Sequence, residues 1–229
     1  MKINIHPIPL SGVHSYVIEA DGVILIDAGI PKTFPSLERQ LACIPIKLAD
    51  IQLLVITHAH FDHVGNALEI KASTRAPILV HRDDQEALET GRGPIPPGIT
   101  PWGRTLSALG SIFEPAIIAP KVNPDLIVDD TGFDLREYGV PGEIIHTPGH
   151  TMGSISVLLE NSAAIVGDLA MSGFPKRRKP GIPIFAESLE HVLASWRELI
   201  ERGAEMIYPA HGKPFPVDYL RRELVKFGQ

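Results

Sequence analysis

Within the stretch VITHAHFDHVG, Val55 to Gly65, three histidines and an aspartate fall inside six residues: His58, His60, Asp62 and His63. They follow an apolar run, IQLLVIT, with the pattern of a buried strand. Neutral imidazole and carboxylate are ligands for zinc, and also for iron or manganese. On an extended segment, side chains 58, 60 and 62 share one side, and His63 points elsewhere unless the chain turns. The following VGNALEI reads as the start of a helix, so a turn is expected there. The cluster therefore offers two groups of donors rather than one ring of four. A structural zinc site normally includes thiolates; their absence here favours an open, catalytic site. Partners should lie elsewhere in the chain. Three donors stand where later apolar runs end beside glycine: His150 in EIIHTPGHT, Asp168 in AAIVGDLA and His211 in EMIYPAHG. Glycine lets the backbone turn sharply and approach closely.

The elements that must position these residues are short. VHSYVIEA, GVILIDAG, IQLLVIT and APILVH read as strands, as do DLIVDD, EIIHTPGH, SISVLLE and SAAIVGD. PSLERQLACI and GNALEIKAS read as helices between them. The clearest helix is ESLEHVLASWRELIERG, with Leu189, Val192, Leu193, Trp196, Leu199 and Ile200 on one face and Gly203 as its stop. His191 and Trp196 on this helix are assigned to surface and packing. Cys43, the only cysteine, reads as a packed residue at a buried helix end. Val17–Asp27 and Leu158–Asp168 echo each other as strand, turn, strand, aspartate, with a glutamate eight residues before each aspartate. The chain reads as one domain, 1–229, with a Gly- and Pro-rich insertion at about 91–120.

A net charge of −6 disfavours broad nucleic-acid binding. With one cysteine, no intrachain disulfide forms, which fits a reducing compartment. MKINIHPIPL lacks the apolar core of a signal peptide, and no run approaches the ~20 residues of a membrane helix. A cytoplasmic location without membrane association is the expectation. Neither a G-x-S-x-G nucleophile motif nor a G-x-x-x-x-G-K-[ST] phosphate loop occurs.

His58-Ala59-His60-Phe61-Asp62-His63, TPGHT, VGD and PAHG, in this order, resemble the metallo-β-lactamase-fold superfamily over Ile24 to Gly212. The resemblance implies an α+β, four-layer αβ/βα sandwich with a pseudo-twofold repeat, which accounts for the echo. It implies that His58, His60 and His150 hold one divalent metal, that Asp62, His63 and His211 hold a second, and that Asp168 bridges them. Zinc is the first expectation for both, with iron or manganese as alternatives. Asp27, in LIDAG, matches an aspartate that supports the ligands from behind. His6, His14, His81, His146 and His191 match no family ligand and are assigned to core or surface.

Two metals can generate hydroxide at neutral pH and polarise a carbonyl, with Asp62 or Asp168 accepting the proton. The expected function is hydrolysis of an ester, lactone or thioester by metal-bound hydroxide, similar to hydroxyacylglutathione hydrolases or N-acyl homoserine lactonases. Many hydroxyacylglutathione hydrolases carry a C-terminal helical region that grips glutathione; only 18 residues follow His211 here, which counts against glutathione specificity. The expected partner is a small acyl substrate. Trp102 in the apolar insertion, Lys176 and Arg177 in the basic run, and Tyr208 beside His211 are candidate substrate contacts. The competing readings are a mononuclear iron sulfur (persulfide) dioxygenase on the same fold and a non-catalytic metal-binding protein.

Overall fold

The computed structural model describes residues 2–93, 95–101, 103–107, 119–173 and 179–228. Two mixed sheets face each other, each with six strands. The first runs in spatial order through β1 (Asn4–Leu10), β2 (Val13–Glu19), β3 (Val23–Ile26), β4 (Ile51–Val55), β5 (Ile78–His81) and β6 (Leu126–Val128). The second contains β7 (Phe133–Asp134), β8 (Gly142–His146), β9 (Ile155–Leu159), β10 (Ala163–Ile165), β11 (Met206–Tyr208) and β12 (Phe215–Pro216), again in sequence order.

Both faces of the central strands are buried, so their side chains divide by alternation. In the first sheet Val17, Leu25, Leu54 and Ile78 join a cluster with Leu37 and Leu41 of α1 (Phe34–Leu41) and Ile70 of α3 (Ala67–Thr74). Their neighbours Tyr16, Ile18, Ile24, Ile26, Leu53, Val55 and Leu79 point the other way. There they meet Ile144, Val157, Leu159 and Ile165 of the second sheet. On the far side of that sheet, Leu158, Ala164 and Ile207 pack with α5 (Leu189–Glu201) and α6 (Asp218–Lys226), through Val192, Trp196, Leu199, Leu220 and Leu224. The layers are thus helix, sheet, sheet, helix. Each fully buried aliphatic side chain contributes ~1.5–3 kcal/mol.

The helix α5 begins where Ser188 Oγ accepts from His191 N and ends before Gly203, at φ 89°. Trp196 is fully buried and donates from Nε1 to the Leu169 carbonyl. Cys43 departs from its expected burial. It is exposed just beyond the C-terminus of α1, where the chain has left the register that buries Leu37 and Leu41.

The echo in sequence is an echo in structure. β2–β3 and β9–β10 are both antiparallel hairpins, and each second strand pairs in parallel with the next one, β3 with β4 and β10 with β11. Asp27 follows the first hairpin and Asp168 the second. Among the described residues, no helix is long and apolar enough to cross a membrane.

Candidate metal centre

The donors gather at the C-terminal ends of strands from both sheets. His58 and His60 follow β4, His150 follows β8, Asp168 follows β10 and His211 follows β11. Extended alternation does not continue to residue 62. The chain turns at His60 into α2 (Phe61–Val64), so Asp62 and His63 stand on a single helical turn. The turn lies earlier than the sequence pattern suggested, because Phe61 and Val64 both pack into the first core cluster and draw the segment round.

Three overlapping triads have all their donor atoms within 4.8 Å of one another: His58, His60 and His150; His58, His63 and Asp168; and Asp62, His63 and His211. Asp168 lies between the groups. Its Oδ1 is 3.5 Å from His63 Nε2, and its Oδ2 is 3.7 Å from His150 Nε2 and 3.5 Å from His211 Nε2. Asp62 Oδ2 is 3.3 Å from His211 Nε2.

The rings are anchored from behind. His150 Nδ1 donates to the Phe185 carbonyl at 2.9 Å, His211 Nδ1 to Gly12 at 3.0 Å and His63 Nδ1 to Asp27 Oδ2 at 2.8 Å. Each therefore turns Nε2 inward. His150 Nε2, left with its lone pair, accepts a hydrogen bond from His60 Nδ1 at 3.0 Å. Three buried atoms here, His58 Nε2, His63 Nε2 and Asp168 Oδ1, have no hydrogen-bond partner among the described residues. An unpaired buried polar atom costs ~1–3 kcal/mol. Nitrogen and oxygen donors of this kind fit a divalent metal.

The electrostatics divide the centre in two. Burial, reinforced by neighbouring imidazoles, holds His58 and His150 well below the ordinary histidine range, so their lone pairs are available. Burial also opposes charge on His63, but Asp27, Asp62 and Asp168 outweigh it and push His63 up to about 10. His211, likewise desolvated, is pushed up to about 9 by Asp168 and Asp62. Without metal, protons thus supply positive charge where carboxylates crowd. Burial raises Asp168, whereas Asp62, despite burial, is held low by His63 and His211.

Asp27 does what its place after β3 suggested. At φ 61° its buried carboxylate accepts from Thr57 N at 2.8 Å and from Thr57 Oγ1, besides His63. A second acid went unnoticed in the sequence. Asp84, buried three residues beyond β5 and just before α4 (Gln85–Thr90), accepts from Ala59 N at 2.8 Å and Thr151 Oγ1 at 3.1 Å, tying the His58–His63 loop to the His150 loop. Burial pushes it up to about 6. Its signal was available: an acid just past a strand end, at the same edge as the donors. Asn66 similarly binds the Ala28 and Ile30 carbonyls and the Thr33 and Phe34 amides, bracing the segment after Asp27. His14 lies beside the centre without donating to it: its Nδ1 meets the Ala210 carbonyl at 3.1 Å. Two glycines are obligatory neighbours. A Cβ on Gly149 (φ 140°) stands 2.5 Å from Val192 N, and one on Gly212 (φ 105°) stands 1.6 Å from the Ser172 carbonyl.

A cavity of about 260 Å³ opens on His60, Asp62, His150, Asp168 and His211. Its other walls are mainly apolar: Phe61, Ile95, Pro96, Leu106, Met171, Ile184 and Phe185. The insertion and the segment after Asp168 hold each other there, with Ile99 N donating to Ile184 O and Ala186 N to Pro97 O. Trp102, Lys176 and Arg177 lie outside the described residues. Tyr208 is half-buried, edge-on to Tyr16 at 5.8 Å between the sheets, and is not among the residues lining this cavity.

Comparison with known proteins agrees with this architecture. A probable metallo-hydrolase of Methanocaldococcus jannaschii is 31% identical over 205 residues, covering 87% of each chain. A hydroxyacylglutathione hydrolase of Shewanella loihica is 27% identical over 158 residues, 69% of this chain and 46% of that one. Among solved structures, an archaeal metallo-beta-lactamase superfamily protein from Sulfolobus tokodaii superposes with a TM-score of 0.70 at 21% identity, covering 100% of this chain and 88% of the other. The sequence model of the Metallo-beta-lactamase superfamily matches residues 8–211, and the chain belongs to that superfamily.

Proposed function

We propose that this protein is a dinuclear metal-dependent hydrolase of a small ester, lactone or thioester. The observation that carries the reading is the convergence of seven donors around buried lone pairs that lack partners. His58, His60 and His150 would hold one ion and Asp62, His63 and His211 the other, with Asp168 shared. Zinc is the first candidate, with iron or manganese as alternatives. Bound divalent ions supply Lewis acidity, making hydroxide accessible near neutral pH and polarising a carbonyl.

The chain's own groups do the rest. Asp62 and Asp168 line the cavity floor, where either can take the proton of the attacking water and return it to the leaving oxygen or sulfur. Asp27 keeps the proton of His63 on Nδ1, so that Nε2 stays a donor. The apolar walls at Ile95, Leu106, Met171 and Ile184 exclude water and suit an acyl chain. The similarity to a hydroxyacylglutathione hydrolase favours thioesters as one substrate class.

Elemental analysis of the purified protein, run beside a panel of ester, lactone and thioester substrates of increasing acyl length, tests this. Two ions per chain and a kcat/KM that rises with acyl length support it. One iron per chain with persulfide oxidation and no hydrolysis replaces it with the dioxygenase reading.

A further inference from the structure

A second cavity, of about 440 Å³, opens beside the first. It lies between Ala59 and His60, α4, the start of the insertion and the loop after His150. The two cavities share His60 and Gly93, so the His60 imidazole stands where they meet. A Cβ on Gly93 would stand 2.7 Å from the Ala59 carbonyl and 3.3 Å from the His60 ring, so glycine leaves the passage over that ring unfilled. The walls differ in chemistry. The first cavity is mainly apolar, whereas the second is lined by Asp83, Glu86, Thr90, Arg92, Thr151 and Glu187, with Asp84 behind them. Arg92 is the only lysine or arginine among the described lining residues. Asp83 is half-exposed, and its basic neighbour does not neutralise it: His81 Nδ1, 4.0 Å from the carboxylate, accepts from Asp83 N and has no proton there to give. Glu187 is fixed in the wall by accepting from Met152 N at 3.0 Å. Burial first, and the charge of Asp83 beside it, raise Glu187 above the ordinary carboxylate range.

We propose that this second cavity is the leaving-group subsite, and that it takes an alcohol or thiol carrying an amine cation. The inference rests on the acyl-hydrolase reading above, which seats the acyl chain against Ile95, Leu106, Met171 and Ile184. A carbonyl held beside His60 then has its acyl side in the apolar cavity, and its other substituent passes over Gly93 into the polar one. An ammonium group offers three N–H donors and no acceptor, which suits a wall of carboxylates at Asp83, Glu86 and Glu187. A leaving group of net negative charge, such as glutathione, meets like charge there, with Arg92 alone to offset it. Water adds across the acyl–oxygen or acyl–sulfur bond. Its oxygen stays on the acyl carbon, a proton leaves with the alcohol or thiol, and the amine takes no part in the chemistry.

Asp83 and Glu86 are exposed, so their attraction for a cation is modest and is screened by salt. The subsite therefore acts on selection between leaving groups rather than on the bond cleavage itself.

The test titrates the isotope-labelled, zinc-loaded protein with 4-aminobutan-1-ol, pentan-1-ol and 4-hydroxybutanoate, near-isosteres of positive, zero and negative charge, and follows backbone amide shifts by NMR. Hexanoyl esters of the same alcohols then give kcat/KM for each charge. We expect the amino alcohol to shift Ala87, Thr90 and Arg92, and to bind there at least ~5-fold more tightly than pentanol at low salt, with 4-hydroxybutanoate weakest. Asp83→Asn combined with Glu86→Gln should reduce that preference at least ~3-fold, both in binding and in kcat/KM. Glu201→Gln, the same kind of charge change at the far end of α5, should leave the preference as it is. Equal binding of the amino alcohol and pentanol at these amides overturns the proposal, as does a preference that survives the double variant. Shifts at these amides without cleavage of any ester would keep the subsite and retire the acyl-hydrolase reading. Cleavage of all three esters with equal kcat/KM would keep that reading and retire the subsite.

Discussion

Replacing Asp27 by Asn isolates a hydrogen bond behind the metal centre. Asn tolerates the left-handed backbone, so φ 61° imposes no new strain. The wild-type carboxylate only accepts, from Thr57 N, Thr57 Oγ1 and His63 Nδ1. An amide brings two N–H donors into a pocket that supplies donors. If its nitrogen faces His63, the ring must move its proton to Nε2, and that nitrogen can no longer bind metal. If its nitrogen faces Thr57, a buried backbone N–H loses its acceptor, at a cost of ~1–3 kcal/mol. Supporting carboxylates of this kind are worth ~10–100-fold in metal affinity, about 1.4–2.7 kcal/mol. We therefore expect one ion per chain, that of Asp62, His63 and His211, to be released at least ~10-fold more readily to a competing chelator. The ion of His58, His60 and His150 should change much less. The assay is chelator competition with metal content read at each step. Retention of both ions within twofold of wild type would refute the tautomer argument.

Other outcomes follow from the same geometry. Chelation should lower the melting temperature by roughly 10 °C, since binding at a thousandfold excess over Kd contributes about 4 kcal/mol; calorimetry with and without chelator reads this. Asp84 rises in the fold from 3.8 to about 6, so its contribution to stability is fully present below the unfolded value and is lost as pH rises through 6. Wild-type stability relative to Asp84→Asn should therefore fall by about 2 kcal/mol between pH 4 and 7, measured by urea unfolding at each pH. Gly212→Ala combines a strained φ with a Cβ inside the Ser172 carbonyl; it should cost ~2–4 kcal/mol and displace His211, seen as a lower urea midpoint and weaker binding of one ion. Asp168→Asn should lower kcat by ~10²-fold or more while the protein stays folded by circular dichroism.

Much of the centre was legible because its chemistry is local. His58, His60, Asp62 and His63 share six residues, and His150, Asp168 and His211 each close an apolar run, so strand ends and donors coincide in the sequence. The long helix was equally plain, since Ser188, its apolar face and Gly203 all agree. What stayed hidden depends on distant partners. Nothing near Asp84 tells that it will meet Ala59 and Thr151, and Asn66 gains its meaning only from the loop after Asp27. The turn at His60 depends on Phe61 and Val64 finding the first core cluster. The stacking of His81 on His146 needs two sheets to face each other, which no window of sequence contains.

The central claim is that the seven donors hold two ions around Asp168. Anomalous diffraction at the zinc edge on crystals of the metal-loaded protein tests it most directly. The account predicts two peaks ~3.5–4 Å apart, one contacted by His58, His60 and His150, the other by Asp62, His63 and His211, with Asp168 touching both. A single fully occupied peak on one triad, with Asp168 turned away and the other histidines still bonded to carboxylates, would contradict it.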